Sequence, residues 1–106
     1  MIEPDAVDQI IEQYEKHGWK LRRALLSPEG RRALGDKVDT MPVEDSDLDA
    51  LWFSRQSQPD REAWELRRLT GLPYALVAVI PIEAESDEID ETLAQVADEM
   101  RAKTIA

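Results

Sequence analysis

Three apolar segments that follow one another closely between residues 48 and 80 most strongly limit the folds open to this chain. Residues 48–55 are rich in large apolar side chains. Residues 61–69 alternate between apolar and charged side chains, as a half-buried strand does. Residues 74–80 are the most apolar and the most β-branched, which predicts the central strand of the sheet. The connections between these segments are only five and four residues long. Because parallel neighbours need a long crossover, such short connections predict an antiparallel meander.

The chain begins with a helical pattern and then changes to the period of a strand. Apolar residues between Val7 and Tyr14 recur at the spacing of one helix face, which predicts a helix over about residues 4–17. Gly18 suits the left-handed position that ends such a helix. Residues 19–25 then alternate as a half-buried strand does.

Residues 27–35 fit two different structures. A type I turn would use Pro28 in its second position and return the chain as another strand. A short helix would use Ser27 as its N-cap and Gly35 as its terminator, and we slightly favour this interpretation. Residues 36–47 are acidic and show little periodicity, so a loop is expected there.

A second clear helix begins after Ser86, which is a good N-cap and is followed by acidic residues that suit a helix N-terminus. Its apolar stripe consists of Ile89, Leu93, Val96 and Met100. We therefore predict an α+β fold, in which an antiparallel sheet of four to five strands carries an N-terminal and a C-terminal helix packed on one face.

The composition predicts a single domain, residues 1–106, in a reducing compartment. A chain of this length can bury a core without disulfide bonds or a bound metal, and it contains no cysteine. Its start is acidic where a secretory signal needs basic charge. Its longest apolar run, residues 72–82, contains two prolines and is far shorter than the roughly 20 residues that span a bilayer. We expect a soluble cytoplasmic protein that makes no membrane contact.

The residue types that several kinds of enzyme need are missing or isolated. Without cysteine, Cys-His catalysis is excluded, and a Ser-His-Asp triad would depend on His17 alone. His17 lies at the predicted end of a helix, where a charged histidine stabilises the dipole. The alternate aspartates of residues 45–49 have calcium-loop spacing, but Ala50 stands where such a loop requires glycine. We predict no catalytic residues, no metal site and no cofactor.

Two of the predicted strands carry apolar side chains on both faces, at residues 48–53 and 74–80. Two helices on one face would leave the other to be covered by a loop, such as residues 36–47, or by a second protein chain. Because symmetric homodimers are the commonest assemblies, we predict a non-catalytic binding or assembly module that self-associates through this face, with another protein as the alternative partner. The candidate interface residues are Trp52, Phe53, Val77 and Val79.

Two other classes of function stay open. Tryptophans on arginine-bearing strands are typical of proteins that bind single-stranded nucleic acid, although a net charge of -10 opposes such binding. A small-molecule pocket between the sheet and the helices, lined by tryptophan, is the third class. The candidate nucleic-acid-binding residues are Arg22, Arg23, Arg67 and Arg68.

Overall fold

The computed structural model describes residues 2–71 and 73–105, which form a five-stranded sheet and its helices. The predicted α+β fold with an antiparallel sheet is confirmed. The elements follow one another as α1 (Pro4–Lys16), β1 (Lys20–Leu26), α2 (Pro28–Leu34), a 3-10 helix (Gly35–Thr40), β2 (Val43–Asp45), β3 (Ala50–Gln58), β4 (Arg61–Arg68), β5 (Ala75–Pro81) and α3 (Ser86–Ile105). None of the helices in these residues is both long enough and apolar enough to cross a membrane.

The strands lie in the order β2-β1-β3-β4-β5, so β3 is the centre of the sheet and β5 is one edge. The prediction that residues 74–80 form the central strand was therefore wrong, because an apolar composition shows that a strand is largely apolar but not where it lies in the sheet. β3 pairs antiparallel with both β1 and β4, and β5 pairs antiparallel with β4. β2 is the fifth strand and pairs parallel to β1. The prediction of a loop over residues 36–47 was therefore wrong in part, because this segment holds the 3-10 helix and β2. Three residues, two of them acidic, are too short a strand to leave a periodic signal.

The helices lie on both faces of the sheet, which corrects the prediction that the N-terminal and C-terminal helices share one face. On one face, α3 packs its Leu93 and Met100 against Trp52 and neighbouring residues. On the opposite face, Val7 of α1 packs against a cluster that contains Phe53. The two helices are separated by the sheet because side chains of successive strand residues point to opposite faces.

The central strand explains this three-layer arrangement. Residues 50–54 of β3 are all buried, so both faces of the strand need cover. Trp52 and Phe53 retain 1% and 0% of their exposed surface on opposite faces of the sheet. Fully burying a large apolar side chain contributes about 1.5–3 kcal/mol, so neither face can be left open to water without a large loss of stability.

The segment 27–35 forms the short helix rather than the turn. Ser27 caps α2, since its Oγ accepts a hydrogen bond from the Gly30 amide at 3.1 Å. The Asp49 carboxylate in turn accepts hydrogen bonds from the Ser27 amide at 2.8 Å and from the Ser27 hydroxyl. Asp49 directly precedes β3, so this contact fixes α2 to the end of the central strand.

Gly30 permits the close approach of α2 to Asp49. A Cβ added at Gly30 would lie 2.1 Å from the Asp49 Oδ1 atom, a distance at which one group has to move. Any larger residue at position 30 would therefore have to displace the Asp49 carboxylate.

Gly30→Ala should destabilise the protein by about 1–3 kcal/mol, because the methyl group displaces Asp49 from Ser27 and leaves a part-buried carboxylate with fewer donors. Without the clash, the same substitution would stabilise a helix by about 0.5–1 kcal/mol. Urea unfolding measures the sign directly. In an Asp49→Ala background the substitution should be neutral or stabilising, and a loss there equal to that in the unaltered chain would contradict this account.

Candidate interaction surface

The exposed apolar surface of the sheet lies on its edge strand, β5. Val77 and Val79 are 56% and 53% exposed, and Ala75 is exposed beside them. These three alternate residues, which we name the β5 strip, share the sheet face that carries α1. The intervening residues of β5, such as Leu76, point to the other face and pack towards α3. The β5 strip is therefore an apolar surface that the chain's own helices leave uncovered.

The cover that α1 provides ends one strand before the β5 strip. Tyr14 of α1 stacks on Phe53 of β3, with ring centroids 4.0 Å apart and an angle of 9° between the planes. The Tyr14 hydroxyl donates a hydrogen bond to the Glu65 carboxylate of β4. Glu65 is the cross-strand neighbour of both Phe53 and Val77. The contacts of Tyr14 thus reach as far as β4, and Val77 on the next strand is more than half exposed.

The same contact changes the ionisation of Tyr14. Burial raises the pKa of Tyr14 well above its ordinary value, and the hydrogen bond to the Glu65 carboxylate raises it further. The nearby Arg67 guanidinium lowers the pKa, but by less. Tyr14 is therefore held in its neutral form, as the donor that Glu65 needs.

Two of the four candidate interface residues belong to the core. Trp52 packs in the α3 cluster and stands edge-on to Trp64, with ring centroids 6.3 Å apart. Phe53 lies beneath Tyr14 on the other face. Both are buried by the chain's own helices, so placing them on an exposed interface was wrong. The other two candidates, Val77 and Val79, lie side by side on the β5 strip.

Arg22 and Arg23 are engaged in contacts within the chain. The Arg22 guanidinium lies 4.6 Å from the centroid of the buried Trp64 ring and donates a hydrogen bond to Ser54 Oγ at 2.9 Å. Arg23 donates to the Asp90 carboxylate of α3 at 2.7 Å. A bulge between Leu21 and Arg23 places both arginines on the α3 face of the sheet.

Arg67 and Arg68 point to opposite faces. Arg67 is the cross-strand neighbour of Ala75 and so shares the face of the β5 strip. Arg68 lies on the α3 face, 5.4 Å from the centroid of the Tyr74 ring. Of the four arginines predicted to form one nucleic-acid-binding surface, three therefore lie on the α3 face and Arg67 lies on the other, because side chains alternate along the regular part of β4.

The alternate aspartates of residues 45–49 hold different parts of the chain together. Asp45 pairs with Arg31 of α2 at 2.6 Å, and Asp47 pairs with Arg101 of α3 at 2.8 Å. The pair with Arg101 holds the pKa of the Asp47 carboxyl below its usual range. Across residues 2–71 and 73–105, no group of three or more His, Cys, Asp or Glu side chains could hold a metal ion.

His17 is the C-cap residue of α1, where the sequence predicts it. Its carbonyl oxygen accepts a hydrogen bond from the Arg55 guanidinium of β3 at 3.0 Å. Arg55 also lies 4.6 Å from the centroid of the Trp19 ring. The backbone of His17 thus helps to fix the turn between α1 and β1 to the sheet.

Two clefts lie between the sheet and the helices. The larger, of about 600 Å³, lies between the starts of α1 and α2, and its lining includes Ile2 and Ala33. Asp49 also lines it and is less exposed than the other charged lining residues, but its carboxylate already accepts hydrogen bonds from Ser27. Trp52 borders a smaller cleft of about 250 Å³ beside α3. The least exposed charged residue of the larger cleft, Asp49, is therefore already used to hold α2 in place.

Tyr14→Phe should change the response of stability to alkaline pH. Because the pKa of Tyr14 is raised by folding, its contribution is fully present below the unfolded pKa of about 10 and is lost as pH rises above it. The variant should lose about 1.5–3 kcal/mol at neutral pH and show a smaller alkaline fall in unfolding free energy. Urea unfolding between about pH 8 and pH 11 tests this, with Tyr74→Phe as the matched control. Identical pH profiles for the Tyr14→Phe and unaltered chains would contradict the assignment.

Comparisons with known proteins do not identify a relative of this chain. No family model matches it, and no curated protein and no solved structure matches it either. What the protein does must therefore be inferred from the surfaces described above.

Proposed function

We propose that this protein is a non-catalytic assembly module that self-associates through the β5 strip. The observation that carries the proposal is the exposure of Val77 and Val79, each more than half exposed, next to one another on an edge strand. Apolar side chains gain about 25 cal/mol for each Å² removed from water, so a second surface of the same kind would be favoured to cover them.

The distribution of charge supports the same surface. The chain carries a net charge of -10, which keeps copies apart over most approaches. Residues 73–82 contain no Asp, Glu, Lys or Arg, so this stretch presents no charge that contact with a copy would have to desolvate. A two-fold dimer, the commonest symmetric assembly, would bring both β5 strips into the same contact.

The nucleic-acid alternative receives less support from the described contacts. Arg23 is paired with Asp90, and Arg22 lies within 3.7 Å of a Glu62 carboxylate oxygen. Trp52 and Trp64 are buried and present no ring on which a base could stack. The net negative charge also opposes the electrostatic term on which nucleic-acid affinity depends.

Val77→Glu should weaken the dimer by about 100-fold, because each copy would lose an apolar contact and the two-fold axis would bring the two new carboxylates together. The helical content should be unchanged, since Val77 is exposed in the single chain. Sedimentation equilibrium measures the dissociation constant. Gln9→Glu adds the same charge on the exposed surface of α1 and should leave the dimer intact. An unaltered dissociation constant for Val77→Glu would remove the β5 strip from the interface.

Added salt should strengthen the dimer. Two copies of net charge -10 repel strongly when the screening length is about 30 Å, at about 0.01 M salt, and weakly when it is about 8 Å, at about 0.15 M. We expect the dissociation constant to fall by about tenfold over this range. Binding to nucleic acid has the opposite salt dependence. A dimer that dissociates as salt is added would show that opposite charges, rather than the uncharged β5 strip, hold the copies together.

A further inference from the structure

We infer that two copies join edge to edge, with their β5 strands paired antiparallel, so that the two sheets become one continuous sheet of ten strands. This inference rests on the proposed self-association and adds the way in which the copies meet. The β5 strip could also be covered by a second strip packed face to face. The backbone, the prolines and the charges around β5 all favour pairing at the edge.

The hydrogen-bond ladder fixes which backbone groups of β5 point outwards. The Arg68 amide donates to the Tyr74 carbonyl at 2.9 Å, and the Ile82 amide donates to the Asp60 carbonyl at 3.0 Å. The register between these two contacts is regular. Because bonded and non-bonded pairs alternate in an antiparallel ladder, the even-numbered residues of β5 bond to β4. The amide and carbonyl groups of Ala75, Val77 and Val79 therefore point away from β4, at the open edge.

Prolines bracket this set of outward groups. Pro81, at the end of β5, belongs to the same outward-pointing series and lacks an amide hydrogen, and Pro73 precedes the strand at the same distance from Val77. The outward donors are thus confined to a stretch symmetric about Val77. A two-fold axis near Val77 would place each outward donor of one copy opposite an outward acceptor of the other.

The other edge of the sheet is not open in this way. β2 is only three residues long, and its Glu44 and Asp45 lie in ion pairs with Arg23 and Arg31. Short, charged edge strands resist pairing with another chain. Each copy consequently offers a single competent edge, and the assembly closes as a dimer instead of growing into a fibre.

A second copy fits the β5 edge better than a charged peptide does. Along the face of the β5 strip, the paired strands would join six apolar side chains, three from each copy. Glu65 lies one strand behind Val77 and is held by Tyr14. Glu65 of one copy would lie three strand spacings, about 14 Å, from its equivalent in the other, which is beyond the screening length of about 8 Å. The centre of the interface is therefore apolar and free of like-charge repulsion.

The charges at the two ends of β5 favour the antiparallel direction. Arg67 and Arg68 of β4 lie beside the start of β5. Beside its end, the charges of Arg61 and Glu62 of β4 offset one another, and Glu83 and Glu85 follow in the chain. Antiparallel pairing places the acidic end of each β5 beside the basic end of the other, whereas parallel pairing would bring the two acidic ends together. Such exposed pairs add little affinity, but they select orientation.

Amide hydrogen exchange, followed residue by residue by NMR, tests the inference on the unaltered protein. At concentrations where the dimer forms, the amides of Ala75, Val77 and Val79 should exchange at least about tenfold more slowly than in the monomer. The amides of Leu76, Ala78 and Ile80 bond to β4 and should be protected in both states. Protection that rises with concentration at the three alternate positions alone is the signature of edge pairing.

A matched pair of variants provides a second readout. Val77→Pro removes the central outward amide, and its ring occupies the space that the partner strand needs, while the bonds to β4 are kept. Val77→Ala shortens the same side chain and keeps the amide. By sedimentation, Val77→Pro should be monomeric, and Val77→Ala should dimerise with a dissociation constant within about tenfold of the unaltered value. Circular dichroism confirms that each variant is folded.

The outcomes separate this inference from the function on which it rests. A dimer whose three outward amides exchange as fast as in the monomer would overturn edge pairing and leave self-association standing. A folded Val77→Pro variant that dimerises as the unaltered chain does would overturn it equally. A chain that is monomeric at every concentration would remove both proposals.

Discussion

The burial of the central strand on both faces is the constraint on which the rest of this structure depends. Residues 50–54 of β3 expose almost no surface, and their side chains alternate between two separate clusters. A strand of this kind needs a covering layer on each face, because exposing either cluster to water would cost stability. The chain supplies α3, of 20 residues, for one face and α1, of 13 residues, for much of the other. The shorter cover ends over Glu65, and the β5 strip beyond it is left exposed.

Polar contacts hold the helices to the sheet on both faces, and several of these contacts come from one short segment. Residues 45–49 connect β2 to β3, and their aspartates contact both α2 and α3. Gly30 lets α2 approach this segment without a clash. The acidic character of the segment, which resembles half of a calcium loop in the sequence, is therefore explained by contacts inside the protein. On the α1 side, Tyr14 and Glu65 make the corresponding polar contact above the sheet.

The local elements were predictable because their signals are local. Helix periodicity, the Ser27 cap and the short connections of the meander correctly indicate α1, α2, α3 and the antiparallel strands. The choice of face was not predictable, since alternation shows which residues of a strand share a face but not which helix covers them. The two-sided apolar pattern around Trp52 and Phe53 was interpreted as a core face and an interface, whereas it marks a central strand buried on both sides.

The candidate surface could be predicted from the sequence only in part. Val77 and Val79 were identified because their strand is apolar on both faces, but the same pattern predicted that strand at the centre of the sheet, whereas it is an edge. The hydrogen bond between Tyr14 and Glu65 joins residues 51 positions apart and could not be predicted from a local pattern. Arg67 and Arg68 show that residues next to one another in the sequence need not share a surface, since consecutive residues of a regular strand point to opposite faces.

Light scattering coupled to gel filtration, over a wide range of protein concentration, tests the central claim most directly. A mass that rises from 12.1 kDa towards twice that value, and no further, is the result expected if two copies associate through β5. A mass that stays at 12.1 kDa up to the highest concentration would contradict self-association through β5.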